Sequence, residues 1–178
     1  MSTTRWSIDR THSEIGFKVK HMMVTNVYGR FLDFDGEAQI DEETFENSSF
    51  LFNAKIESVD TGNTDRDNHL QSADFFDSTQ YPTLTFKSTS IGKVDGGYYR
   101  VTGDLTIRDT TKPVTLNVEY NGVSMVDPWG QTKKGLSATA KINRKDWGLT
   151  WNAALEAGGV LVSEDINLTL EAQFIKQA

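Results

Sequence analysis

Apolar and polar residues alternate along most of this 178-residue chain. Trp6 and Ile8 open a short predicted strand, and Ile15, Phe17, Val19 and His21 share one face of a second. After the Tyr28-Gly29 break, Phe31, Gly36, Ala38 and Ile40 mark a third. Phe50, Phe52, Ala54 and Ile56 define a fourth, and Leu84, Phe86 and Ser88 a fifth. Tyr99, Val101, Gly103, Leu105 and Ile107 give a sixth, and Val114, Leu116, Val118 and Tyr120 a seventh. Leu136, Ala138, Ala140 and Ile142 form an eighth, and Ile166, Leu168, Leu170, Ala172 and Phe174 close the chain. The intervening residues are polar, as in Asn167, Thr169 and Glu171. A period of two marks strands with one face turned to a core.

The breaks agree with the strands. Asp95-Gly96-Gly97 reads as a hairpin, and Asn121-Gly122 and Asp127-Pro128-Trp129-Gly130 read as turns. Pro113 is expected at a strand start, where its missing N–H does least harm. Helix is scarce. One turn is expected over Asp41 to Asn47, with Asp41 as its cap. The stretch from Ser58 to Phe86 breaks the alternation with Asp65, Arg66, Asp67, Asn68, His69 and Asp74, then Phe75 and Phe76. There Asn63 or Thr64 caps a short helix through Leu70, and a second turn covers Ala73 to Asp77, stopping before Tyr81-Pro82. Such an insertion either builds a site or plugs a barrel end.

Eight or nine antiparallel strands hide their apolar faces by closing into a barrel or by pairing two sheets. Small residues recur on those faces: Ala38, Ala54, Ser88, Gly103, Ala138, Ala140 and Ala172. They either open a lumen, as an eight-stranded barrel can hold one ligand, or make room for Phe and Trp across a filled core. Periodicity does not choose between the two.

The chain length fits one domain with a sizeable core. The net charge of −7 argues against nucleic acid, whose phosphates need a basic surface, and against docking on anionic lipid. There is no cysteine, so disulfides, thiol nucleophiles and thiolate metal sites are excluded. No apolar run approaches the ~18 residues that span a bilayer, and no apolar signal core follows the N-terminal methionine. The expected location is therefore cytoplasmic.

The candidate chemistry is thin. His12, His21 and His69 show no close ligand pair, so no metal site is expected. No G-x-S-x-G elbow accompanies them, and no catalytic residue is assigned. Arg66 and His69 either meet the anionic or carbonyl head of a ligand or pair with nearby carboxylates to pin the insertion. Trp147 and Trp151 cap or line a barrel end, or pack in the core. Gly158-Gly159 gives a flexible link without a phosphate-binding pattern.

In order along the chain stand W-S-I-D-R-T-H-S (Trp6 to Ser13), F-K-V-K-H (Phe17 to His21) and S-V-D-T-G-N followed by R-D-N-H-L, D-F-F-D and Y-P-T-L-T-F. G-D-L-T-I (Gly103 to Ile107), T-K-P-V (Thr111 to Val114) and N-R-K-D-W-G-L (Asn143 to Leu149) come later. Together they make the chain resemble the YceI-like, lipocalin-fold polyisoprenoid-binding proteins over nearly its whole length. One departure is Asp109, where the family pattern has glycine.

The resemblance implies an all-β fold: an extended eight-stranded antiparallel lipocalin-like barrel with a short helical insertion near residues 63–77. It implies a single domain over 1–178 and a non-catalytic carrier. The ligand would be a long isoprenoid lipid, a polyprenyl phosphate or an isoprenoid quinone, with no other cofactor. The implied tunnel wall is Phe17, Val19, Phe52, Phe86, Leu105, Leu116, Ala138 and Leu168. Phe75, Phe76, Trp147 and Trp151 would sit at the entrance or close an end, and Arg66 and His69 would meet the head group. Monomer and homodimer both stay open, as does a filled-core stress-response or structural module without a lipid.

Overall fold

The computed structural model describes residues 3–152 and 161–178. The strands are β1 (Thr3–Ile8), β2 (Glu14–His21), β3 (Thr25–Phe31), β4 (Phe34–Asp41), β5 (Ser49–Lys55) and β6 (Val59–Asp60). After α1 (Thr64–Gln71) come β7 (Thr83–Asp95), β8 (Tyr98–Ile107), β9 (Thr110–Glu119), β10 (Met125–Val126), β11 (Thr132–Asn143) and β12 (Val162–Lys176). The nine predicted strands become eight barrel positions because the first two are halves of one. β1 and β2 both pair with β12, at Trp6 to Ile8 and at Glu14 to His21 respectively. β3 and β4 follow the same rule, β3 pairing β2 and β4 pairing β1. β5 and β6 then pair β4 and β3. From β7 each long strand lies antiparallel to the preceding one, and β12 closes the ring onto β1. β10 is a short ribbon on β11.

The break between β1 and β2 is a 3-10 turn at Arg10–His12. Asp9, largely buried, organises it. Its carboxylate accepts from Thr11 N (3.1 Å), Thr11 Oγ1 (2.7 Å), Lys133 Nζ (2.8 Å) and Gln173 Nε2 (3.3 Å), and meets His12 Nδ1 at 3.0 Å. Burial would raise its pKa, but the bonds from Lys133, Thr11 and His12 prevail and hold it well below the usual carboxylate range. The opening motif of the chain thus serves to tie the first strand to the last two.

Several boundaries are sharper than the pattern implied. Asn63, not Thr64, caps α1, its side chain accepting from Arg66 N at 3.0 Å, and the helix runs one residue past Leu70. The second turn covers Ala73 to Phe76, and Asp77 follows it at φ 51°. Asp41 Oδ1 accepts from Glu43 N and Thr44 N, and the 3-10 turn begins later, at Phe45. Pro113 is inside β9, paired with Asp104, rather than at its start. β9 meets β11 only over Asn117 to Glu119, so the missing N–H costs no ladder bond on that side. In the β8–β9 turn, Arg108, not Asp109, takes the left-handed conformation, at φ 58°.

Some small inward residues make room for phenylalanine. A Cβ on Gly103 would stand 2.4 Å from the Phe86 ring, and one on Gly36 2.8 Å from Phe52. Ala38 lies directly across from Phe50, and Ser88 Oγ accepts from Phe50 N at 2.8 Å. Of the seven, only Ala138 borders the cavity described below.

Aromatic rings fill one end of the barrel. Phe45 stacks on Tyr120 at 4.1 Å, and Phe50 packs with Phe45, Phe52 and Phe174 at 5.9, 6.2 and 6.0 Å. Lys134 seals this end. Its Nζ reaches Glu42 Oε2 at 3.1 Å, donates to Gly122 O at 2.9 Å and lies over the Trp6 and Tyr120 rings. Burial would depress its pKa, yet Tyr120 and Glu42 hold the ammonium above the usual lysine range.

Candidate functional site

The other end of the barrel is hollow. Strand alternation turns Phe17 and Val19 of β2, Phe52 of β5, Phe86 of β7, Leu105 of β8, Leu116 of β9, Ala138 of β11 and Leu168 of β12 onto one cavity of about 480 Å³. These are the eight wall residues proposed from the sequence. Ile15, Val27, Phe31, Ile107, Ile166 and Leu170 also line it and were missed. Their signal was parity, since Ile15 shares a face with Phe17, and Ile107 with Leu105. The volume lies within the ~300–1,000 Å³ of ordinary ligand pockets.

The floor is the ring layer of Phe52 and Phe86 above Phe50. Beneath it remains a void of about 10 Å³ that Phe52, Phe86, Leu116 and Ala138 also border. Among the described residues the cavity is therefore a blind pocket. It does not run the ~33 Å that ten-residue strands offer, because aromatic side chains occupy the remaining length.

The insertion covers the mouth. Phe75 is buried and Phe76 half-buried, and both border the cavity. Phe76 packs edge-on to Phe31 at 6.1 Å, while Trp151 meets Phe75 at 5.5 Å and His69 at 4.6 Å. Arg108 Nη1 donates to Phe75 O at 3.3 Å. Trp147 is elsewhere: it is buried, does not line the cavity, and donates from Nε1 to Leu105 O at 2.8 Å. It is held in the core by the Leu105 carbonyl of β8, away from the cavity lining.

The polar rim comprises Lys20, His21, Thr61, Asp65, Arg66 and His69, with Lys20 and Asp65 exposed. Arg66 does not pair with the neighbouring acids. Its Nε and Nη2 donate to Thr61 Oγ1 and O, each at 2.7 Å, and Thr61 Oγ1 in turn donates to Asp67 Oδ1 at 2.6 Å. Nη1 makes no bond among the described residues. His69 Nε2 meets Asp74 Oδ2 at 2.9 Å, which fixes the ring against Trp151. His12 lies apart, on Asp9.

Arg144 was quoted in a motif but given no role. It is almost fully buried and borders the cavity, with no carboxylate within ion-pair distance among the described residues. Its three nitrogens donate to Ser163 O (2.9 Å), Leu149 O (2.7 Å) and Val162 O (3.3 Å), and the guanidinium lies 6.0 Å from the Phe75 ring centre. Burial pulls its pKa below the arginine range, opposed by Glu164. It joins the chain before and after residues 153–160. Gly158-Gly159 falls outside the described residues.

The YceI-like domain model matches residues 6–174. The chain belongs to the YceI-like family. A UPF0312 protein of Staphylococcus epidermidis is 39% identical over 173 residues, covering 96% of this chain and 97% of its own. The YceI protein of Campylobacter jejuni has 34% identity and a TM-score of 0.76, with 96% of each chain covered. A polyisoprenoid binding domain from Saccharophagus degradans superposes with a TM-score of 0.65 at 15% identity, covering 97% of this chain and 98% of its own, a likeness of fold alone. In this YceI-like protein the lipocalin-like barrel, the blind apolar cavity and the helical cover make up one site.

Proposed function

We propose that the protein is a non-catalytic carrier that shelters the tail of an isoprenoid lipid, a polyprenyl phosphate or an isoprenoid quinone. One observation carries this reading: a cavity of about 480 Å³ walled by hydrocarbon side chains inside a closed barrel. Protein interiors are ordinarily packed to crystal density, and an apolar void of this size forfeits contacts unless a ligand supplies them. The driving force is removal of the tail from water, about 0.8 kcal/mol per buried CH₂. The blind floor orients the ligand, tail inward and head at the rim. There Arg66 Nη1 is the group suited to a head-group oxygen, while His69 serves to hold the cover.

Native mass spectrometry of gently purified protein should show a co-purified hydrophobic mass. Leu168→Trp, which projects an indole into the cavity, should remove that mass while the thermal transition stays cooperative. A folded variant that keeps its lipid would sink the assignment.

A further inference from the structure

The carrier reading requires a water-insoluble tail to reach the mouth, and the β2–β3 hairpin stands beside that mouth. Lys20 and His21 line the rim, and Met22 N donates to Leu161 O, another lining residue, at 2.8 Å. The loop that follows is Met22-Met23-Val24, exposed at 46%, 62% and 77%. Met22 and Met23 have φ of 52° and 59°, a conformation that Asn or Gly adopts at far lower cost. Backbone propensity and solvation thus both disfavour methionine here, yet two stand side by side.

Charge points the same way. The chain carries −7 overall, but residues 15–29 contain Lys18 and Lys20 and no acid. Neither lysine has a carboxylate partner among the described residues. The nearest acids on β12 are engaged elsewhere, Glu164 with Lys145 at 2.6 Å and Asp165 with Lys141 at 3.5 Å. Lys18 pairs across the hairpin with Tyr28, which is 67% exposed on the same outward face. An apolar tip above lysines and a tyrosine matches the depth profile of a bilayer surface, with hydrocarbon inside and cation and phenol at the head groups.

We propose that the Met22-Met23-Val24 tip enters the surface of an anionic bilayer and seats the cavity mouth on it. This rests on the carrier reading for its purpose but not for its test. The whole-chain charge opposes such docking, and the local lysines and apolar tip reverse that opposition at this one edge. A second apolar loop, with Met125, Val126 and Trp129 exposed beside β11, adjoins the ring-filled end and serves as the control.

The native chain has no cysteine, so Met23→Cys carries a single environment-sensitive fluorophore at the tip. On vesicles of phosphatidylcholine with phosphatidylglycerol, its emission should rise and shift to the blue, whereas the same label at Val126→Cys should not respond. Removing phosphatidylglycerol should weaken binding about fivefold per lysine, and Lys18→Gln with Lys20→Gln should abolish that difference. Met22→Glu should prevent vesicle binding while leaving uptake of farnesol from vesicle-free solution unchanged. A Met23 label that stays in water, or a Val126 label that responds in its place, overturns the proposal. Farnesol uptake without tip insertion refutes docking and spares the carrier reading. Tip insertion without farnesol uptake does the reverse.

Discussion

Phe52 is the residue on which the shape of the cavity turns, and Phe52→Ala tests that geometry. The ring is 7% exposed, borders both the large cavity and the small void beneath it, and packs at 6.2 Å against both Phe50 and Phe174. Gly36, which faces it, has no side chain with which to refill the space. Phe→Ala in a core costs about 3–5 kcal/mol. Because one side of the ring already borders empty space, we expect the lower figure, about 3 kcal/mol. For a domain of this size that is a fall in Tm of about 6–12 °C. The same change joins the two voids and deepens the pocket. Preference among prenyl alcohols, measured by competition in native mass spectrometry, should therefore move to longer chains as stability falls. A variant within about 0.5 kcal/mol of wild type with unchanged chain preference would refute the role of Phe52 as the floor.

Four further outcomes follow from contacts already described. Asp9→Asn should cost about 2 kcal/mol near neutral pH, read from the urea midpoint. Because the folded pKa is depressed, the Asp9 contribution is complete above its unfolded pKa of about 4 and declines as pH falls below that value, so the variant and wild type should converge in acid. Gly103→Ala drives a methyl into the Phe86 ring and the Lys87 carbonyl and should destabilise by about 1–3 kcal/mol, visible in thermal melts. Arg144→Met removes the side-chain donor to the Leu149 and Ser163 carbonyls, while Asn152 Nδ2 still donates to Val162 O at 2.7 Å, and should cost about 3 kcal/mol, with faster amide hydrogen exchange on both sides of the 153–160 segment. Lys134→Gln should lower stability, read by circular dichroism, and push the Tyr120 phenol further above its usual range, since burial raises it and Lys134 lowers it.

The strands were legible because one side of each touches a core, and a period of two survives wherever that holds. The break between β1 and β2 was legible, but their sharing of one barrel position was not, since both pair with β12 and Asp9 holds the break through Lys133 and Gln173, far away in sequence. Which residues face inward was readable by parity; the hollow behind them was not, and only the family resemblance implied it. Ala38 and Gly103 look as much like lumen residues as Ala138 does, and only the positions of Phe50, Phe86 and the closed end separate them. Arg66 illustrates another limit. Three acids nearby suggested ion pairs, yet backbone geometry gave the guanidinium to Thr61. Trp147 and Trp151 looked alike in sequence, but a buried Leu105 carbonyl claims one while the mouth takes the other.

The ring layer at the bottom has a further consequence for traffic. With one mouth among the described residues, the proposed carrier would take in and release its lipid across the same threshold, so a donor and an acceptor could not be served at once. On that reading one lipid must leave before its successor is admitted, and delivery would be an alternating exchange whose pace is set by how often the mouth is vacated.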